Sequence, residues 1–593
     1  MLVVSGPGSG KTRVLTYRVA FLIESGLAPE KIMAVTFTNK AAREMVNRLE
    51  KVVGKKVKKL WVGTFHSICL RILRKEAERL GYKKDFRVLD EEDSLRILKN
   101  VLLELNLDRG KDWLLDTAKA ISLYKNKLIL PADADNEITD IYQAYQDMLY
   151  KNSLMDFDDL LLNVVLLFQK NEDVLKRWQR KFKYILVDEY QDTNHVQYLL
   201  VKILSEKHRN LFVVGDPDQG IYGWRGADIS NILSFEKDYP DALVIKMEQN
   251  YRSTKEIVHA ANELMTYSSE TIPKEIWTKN HHGEKIEVHE LRDEAAEAVF
   301  IAKKIVTQGY NFKDVAILVR THAASARIQQ VLARAKIPYR VVSGVSFYGR
   351  KEVKDMLAYL RLIYNNDDDE AFLRIVNMPA RGIGEKTVAK LAAVAKERGI
   401  SLFKAIDYVE LSKKNMESLK GFKKLIRSLK RVSFGADLVE AIYIRSGYLD
   451  MLRRDNEISR LENLVELQGI VDEHKGEKIE EFLDYVTLLS DSDFTECDAV
   501  KVMTCHAAKG LEFPVVFIAG LNDGILPHYL SLMEDNLEEE RRLLYVAITR
   551  AMEKLYLTYT KFRYQAGRPT AAAPSRFLRE LPEDGKLVAK GGV

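Results

Sequence analysis

The sequence predicts an α/β protein built on two sheet-containing units, each interrupted by a mostly helical insert. Three observations predict it. Residues 1–12 read MLVVSGPGSGKT, an apolar strand running into a glycine-rich turn that closes on Lys-Thr. Residues 184–192 read YILVDEYQD, a continuous apolar run ending in carboxylates, as buried parallel strands do. Strand–helix alternation fills residues 1–80, resumes near 156 and runs to about 255. A second α/β pattern then begins near 256.

Taken in order, the first turn is built to hold phosphate. Gly6, Pro7, Gly8, Ser9 and Gly10 can wrap backbone N–H groups around the β- and γ-phosphates of a nucleotide. Lys11 adds positive charge, Thr12 offers a hydroxyl to Mg²⁺, and Arg13 follows. The strict motif has Gly where Ser5 stands, and a small residue suffices there. After the strand at 184–187, Asp188 is placed to hold Mg²⁺. Glu189 is placed to orient and deprotonate an attacking water. A third strand, 210–215, leads to Gln219, which can sense the γ-phosphate. Arg252 and Arg550 supply the planar, bidentate donors that suit transition-state phosphate charge.

Between these elements, residues 84–153 read as a helical insert, with apolar spacing at Leu95, Leu98, Leu102 and Leu105. Val315–Arg320 is a buried strand whose partners return after 495, as 500–504 and 515–519. Residues 370–494 read as mostly helical and richly charged. The basic run 55–59 and the acidic run Asp367 to Glu370 read as solvated loops.

Composition bounds the class. A chain of 593 residues holds about four compact units. An apolar fraction of 46%, with 13 prolines and 31 glycines, describes globular protein without long linkers. A net charge of +5 is too small to indicate nucleic-acid binding by itself. Cys69, Cys497 and Cys505 form no metal-binding or disulfide pattern, which suits a reducing, cytoplasmic setting. No apolar run is long enough to span a membrane.

With these residues in hand, the chain resembles the UvrD/PcrA/Rep group of superfamily 1 DNA helicases. Blocks occur in the group's order: GPGSGKT at 6–12, TFTNKAAREM at 36–45, TFHS at 64–67 and DEYQDTN at 188–194. GDPDQGIYGWRGAD at 215–228, EQNYRST at 248–254, TCHAAKGLEFPVVF at 504–517 and EEERRLLYVAITRA at 538–551 follow. The resemblance implies two RecA-like motor domains facing each other across ATP. These are 1–83 with 154–255, carrying the insert 84–153, and 256–369 with 495–580, carrying the duplex-contacting insert 370–494. Residues 581–593 form a short tail. It further implies Tyr251 on the adenine, with Glu512 and Gly510 at the ribose.

The same resemblance implies a single-strand DNA track. Phe37, Phe65, Tyr222 and Trp224 lie on it, and bases stack on such rings at about 1–3 kcal/mol each without sequence preference. Core packing is the competing reading for Phe37 and Phe65, which follow strands. Tyr222 and Trp224 sit in a polar, Gly-rich loop where burial is harder. Thr36, Asn39, Thr64, His66, Arg225 and His506 add phosphate or base contacts. Gly382 and Gly384 resemble the turn of a hairpin gripping a DNA backbone, against the alternative of a plain helix–helix turn.

The activity implied is ATP-dependent 3′-to-5′ unwinding with Mg²⁺, in DNA repair or replication. The partners implied are single strands and single-strand/duplex junctions, with repair or replication proteins. The acting form would be a monomer or a DNA-induced dimer. A protein-displacing translocase is the nearest rival, and an ATP-gated DNA-binding protein with impaired hydrolysis is a rival from another class.

Departures from the group's pattern carry expectations of their own. Relatives have a Gln ahead of the phosphate loop that reads the adenine edge, which predicts weaker ATP affinity or poorer rejection of GTP here. Gly220 stands where Ser is usual, Pro217 where an acidic or small residue is common, and Cys505 where an aliphatic residue is usual. The short stretch after Phe577 predicts no tail-mediated partners and leaves no room for a nuclease domain.

Overall fold

The computed structural model describes all residues except 108–109, 135, 322, 343–349, 455–459, 462–463, 465–466, 469–470, 473, 488–497, 535, 566–567, 583–586 and 591–593. Cys497 therefore lies outside the described residues. The chain forms two compact units. One comprises Met1–Arg87, Ser94–Ser343 and Ser492–Val593; the other comprises Val88–Asp93 and Gly344–Asp491.

The larger unit holds two parallel sheets. The first contains β1 (Leu2–Ser5), β2 (Ile32–Thr36), β3 (Trp61–Thr64), β4 (Tyr184–Val187), β5 (Leu211–Gly215) and β6 (Val244–Met247), in spatial order β3-β2-β4-β5-β1-β6. β1, β2 and β5 are buried along their whole length, which is why they read as unbroken apolar runs. Because β5 lies between β4 and β1, the loops leaving these three strands emerge side by side. That is where open α/β sheets bind ligands.

The second sheet contains β7 (Ile286–Leu291), β8 (Val315–Val319), β9 (Tyr339–Val341), β10 (Val500–Thr504), β11 (Phe513–Ile518), β12 (Ala551–Thr560) and β13 (Leu587–Lys590). Its order is β9-β10-β8-β11-β12-β7-β13, again all parallel. Among the described residues no helix is long and apolar enough to cross a membrane.

The first insert is helical, with helices Glu91–Glu104, Lys111–Asn126 and Asn136–Lys151. Leu98 and Leu102 are buried as their spacing predicts, but Leu105 lies past the helix end and is exposed. A buried ion cluster ties the insert down. Lys125 Nζ lies 2.5 Å from Asp156 and 2.8 Å from Asp159, at the start of helix Phe157–Lys170.

The smaller unit is helical, and it corrects two expectations. It takes in helix Lys351–Tyr364, ahead of the expected boundary at 370, because that helix buries Val353, Met356, Leu360 and Ile363. The acidic run is only partly solvated: Asp367 is exposed, yet its carboxylate and those of Asp368 and Asp369 bond to neighbouring elements. Asp367 accepts from Ser401 Oγ at 2.6 Å, Asp368 caps the following helix through Ala371 N at 2.9 Å, and Asp369 accepts from Leu402 N at 2.7 Å. The basic run forms a short turn, Gly54–Lys59, that buries Val57 and exposes its lysines.

Candidate nucleotide and nucleic-acid site

The loop after β1 is shaped by its glycines. Gly8 and Gly10 have φ of +64° and +91°, where L side chains are strained. A Cβ on Gly8 would also lie 2.7 Å from Arg252 Cβ and 2.9 Å from Asn250 Nδ2. Ser9 Oγ closes the turn onto the Gly6 carbonyl at 2.7 Å, and Asn250 Nδ2 donates to the Pro7 carbonyl at 2.8 Å. Gly10 then starts helix Lys11–Glu24, so the loop's free N–H groups and the helix N-terminus share one cradle. Arg13 points outward, its guanidinium 5.6 Å from the Tyr17 ring. Ser5 is fully buried at the end of β1 and donates to the Gly215 carbonyl at 3.3 Å, which accounts for a small polar residue there.

Thr12 Oγ1 donates to Asp188 Oδ2 at 3.3 Å, so the two expected Mg²⁺ ligands are adjacent. Burial, with Glu189 alongside, pushes the Asp188 carboxyl up to about 7. Burial works on Glu189 too, but Lys11, Lys509, Gln191 and Arg550 outweigh it and hold Glu189 at about 2. The pair thus favours one negative charge, placed on Glu189. A hydroxyl beside a buried, charge-starved carboxyl is a donor set that a hard divalent cation fits.

Gln219 is buried and its side chain is committed, with Nε2 donating to Asp216 Oδ2 at 2.5 Å. Gln191, which the sequence reading did not single out, bridges this loop to the acidic pair. Its Nε2 donates to Glu189 Oε2 at 2.6 Å, and its Oε1 accepts from the Asp216 N–H at 2.9 Å. From the second sheet's side, Lys509 Nζ donates to the Gln219 carbonyl at 2.6 Å and to the Asp192 carboxylate. Only the DEYQD spacing could have flagged Gln191. Nothing local marks Lys509 as a partner of residues some 300 positions away.

The two arginines lie close together. Arg252 Nε donates to Glu512 Oε2 at 2.7 Å, and its Nη1 donates to the Thr549 carbonyl. Arg550 is buried, donating to the Val546 and Leu511 carbonyls and to Thr549 Oγ1. Burial and the nearby Arg252 charge bring its guanidinium down to about 9. Gly510, at φ +82°, turns the chain just ahead of Glu512. Tyr251 is 66% exposed beside the loop, its N–H bound to the Gly8 carbonyl at 3.0 Å, leaving its ring free to cover a base.

The expected DNA track divides. Trp224 is 62% exposed, with the Arg225 guanidinium 4.7 Å from its ring and His506 edge-on at 6.1 Å. Phe37 and Tyr222 stack at 5.1 Å, and Lys509 lies 5.1 Å from the Tyr222 ring. Asn39 is half-buried at the start of helix Asn39–Val53. Phe65, Thr36 and Thr64 are instead interior. Phe65 is 4% exposed, Thr36 Oγ1 bonds the Thr38 carbonyl, and Thr64 Oγ1 caps its helix by accepting from Ser67 N. In this conformation the two threonines satisfy nearby backbone groups and Phe65 packs in the interior.

His66 stacks on Phe157 at 3.8 Å, and burial drops it to about 3. Burial and Arg320 drop His506 to about 4. Both are neutral at pH 7 and suit bases better than phosphates. In the smaller unit, Gly382 (φ +73°) and Gly384 have open space where a Cβ would go. Gly384 starts helix Glu385–Arg398, and Arg381 braces the turn through the Ile375 and Pro379 carbonyls.

Comparison with known proteins settles the family. Residues 1–240 match the UvrD/REP helicase N-terminal domain, and residues 245–562 match the UvrD-like helicase C-terminal domain. The chain is 45% identical to the ATP-dependent DNA helicase PcrA of Staphylococcus aureus and 46% identical to that of Bacillus subtilis. Each alignment covers 98% of this chain and 84% of the relative. This chain belongs to the UvrD-like helicase family. The two parallel sheets are the helicase's RecA-like motor domains. The phosphate loop, acidic pair and arginines of this UvrD-like helicase all lie within the compact unit that holds both sheets.

Proposed function

We propose that this helicase couples ATP hydrolysis to 3′-to-5′ translocation on single-stranded DNA and to unwinding of duplex DNA, in repair or replication. The observation that carries the reading is one unbroken set of contacts. It runs from Glu189 through Gln191, Asp216 and Gln219 to Lys509, which also lies against the ring of Tyr222. The nucleotide site and the aromatic loop therefore share side chains, as a motor requires.

In this reading the triphosphate sits in the 6–12 loop, and Lys11 faces the β- and γ-phosphates. Thr12 and Asp188 would hold Mg²⁺, which when bound supplies charge neutralisation at the phosphates. Entering phosphates compete for Lys11 and so withdraw part of what keeps Glu189 acidic. Its carboxylate then becomes a better base at the moment a water must lose its proton. The water oxygen bonds to the γ-phosphorus, the bond to the bridging oxygen breaks, ADP leaves, and the proton passes to Glu189. Arg252 and Arg550 stabilise the equatorial charge once the phosphates draw them from their carbonyl and carboxylate partners.

The direction of travel rests on the likeness of the motifs to the DNA-helicase group, as does a monomer or DNA-induced dimer as the acting form, while a cytoplasmic location rests on the cysteine pattern. The insert 370–494, with the Gly382–Gly384 turn, is assigned to the duplex ahead of the motor. Strand displacement on duplexes tailed at either end tests the reading. ATP-dependent release from the 3′-tailed substrate alone is expected. Release from the 5′-tailed substrate, or from neither, would contradict it.

A further inference from the structure

We infer that Lys274 is a positioning residue for hydrolysis, reaching the site through a strap that the helicase motifs do not include. The inference rests on the functional reading above. Residues 270–276 lie in the link between helix Lys255–Thr266 and the short strand Trp277–Thr278. At one end, Ile276 packs so closely on the phosphate loop that a Cβ on Gly6 would lie 2.0 Å from its Cδ1. At the other, Glu270 accepts from Arg542 Nη1 at 2.8 Å, and Arg542 Nε donates to the Gly220 carbonyl at 2.8 Å.

Lys274 lies between. Its side chain is 2% exposed, its Nζ is 2.8 Å from Asp216 Oδ1, and it also contacts Asp218. Thr271 Oγ1 donates to the other Asp218 oxygen. A buried ammonium between two buried carboxylates is costly unless the geometry is kept, so the cluster is rigid.

What the cluster holds is the catalytic loop. Asp216 Oδ2 accepts the Gln219 side chain, and the Asp216 N–H binds Gln191, which binds Glu189. One ammonium therefore fixes the residue whose carboxylate holds the γ-phosphate sensor and whose main-chain N–H, through Gln191, positions the base. Without it, Asp216 and Asp218 face each other buried and unneutralised, and the Asp218 carboxyl, which burial already pushes up, loses the charge that holds it down. Lys274 touches no reacting atom and acts through Asp216.

The test is Lys274→Met in the full chain, with Lys274→Arg as the conservative variant and Glu189→Gln as the inactive control. The readouts are DNA-stimulated ATPase across pH 6–9 and binding of a fluorescent nucleotide analogue. Positioning predicts a kcat per binding site at least tenfold lower, with nucleotide affinity within about threefold of the original. It also predicts an acid limb of the kcat profile moved to higher pH, and partial rescue by arginine. A purely structural role predicts fewer binding sites with unchanged kcat per site and an unmoved profile, which would overturn the inference. If Lys274→Met does not fold, the same criteria apply to K274M/D218N, which buries one charge fewer. An unaltered chain without ATPase would instead sink the functional reading itself.

Discussion

Lys509 Nζ donates to the main-chain carbonyl of Gln219 at 2.6 Å, joining the loop after β10 to the loop after β5. The same ammonium neutralises Asp192, whose carboxyl burial still pushes up to about 7. Lys509→Met should therefore remove the link and strand a buried carboxylate. DNA stimulation of the ATPase should fall at least tenfold, and stability by about 3–5 kcal/mol, the cost of breaking a buried pair. ATPase with and without oligonucleotide, together with urea unfolding, checks both. An unchanged stimulation ratio would remove Lys509 from the coupling path.

The buried Asp188 carboxyl costs stability at neutral pH. Its carboxyl titrates near 7 in the folded protein and near 4 when unfolded, so between those values the folded state keeps a proton that the unfolded chain has lost. Its contribution is full below about pH 4 and is lost as pH rises to about 7. Asp188→Asn should raise the melting temperature at pH 8, by an amount on the order of 2–4 kcal/mol in stability. It should do little at pH 4 and should abolish ATP turnover. Calorimetry at the two pH values decides. A lower Tm at pH 8 would show that the ionised carboxylate is well compensated.

Trp224 and Phe65 separate the two fates of an aromatic in these motifs. Trp224→Ala should weaken oligonucleotide binding by about 1–3 kcal/mol at unchanged stability. Phe65→Ala removes a buried ring and should cost about 3–5 kcal/mol of stability. Fluorescence anisotropy and thermal melts on both variants would expose a reversed assignment.

Gly8→Ala meets two obstacles at once, a φ of +64° and Arg252 Cβ at 2.7 Å. It should displace Arg252 as well as distort the loop, lowering nucleotide affinity at least tenfold. Normal titration of a fluorescent nucleotide would show that the segment 249–252 yields easily.

The legible part of this protein was local. A glycine-rich turn followed by Lys11-Thr12, and a strand ending at Asp188-Glu189, declare themselves because their chemistry lies within a few consecutive residues. Gln191, Lys274 and Arg542 did not, because their partners lie 25, 58 and 322 positions away. Phe65 and Thr36 are ambiguous for a different reason. A residue at or just past a strand's end can face the ligand or turn inward, to pack as Phe65 does or to bond backbone as Thr36 does, and neither periodicity nor composition separates the two. Asp367 to Asp369 resembled a solvated acidic loop until its carboxylates were found capping and bracing two helix starts.

The most direct measurement is steady-state ATPase with and without single-stranded DNA, alongside Glu189→Gln. Hydrolysis strongly stimulated by DNA, and lost in the variant with nucleotide binding retained, is the predicted result. DNA binding without ATP turnover, or turnover that survives Glu189→Gln, would contradict the account.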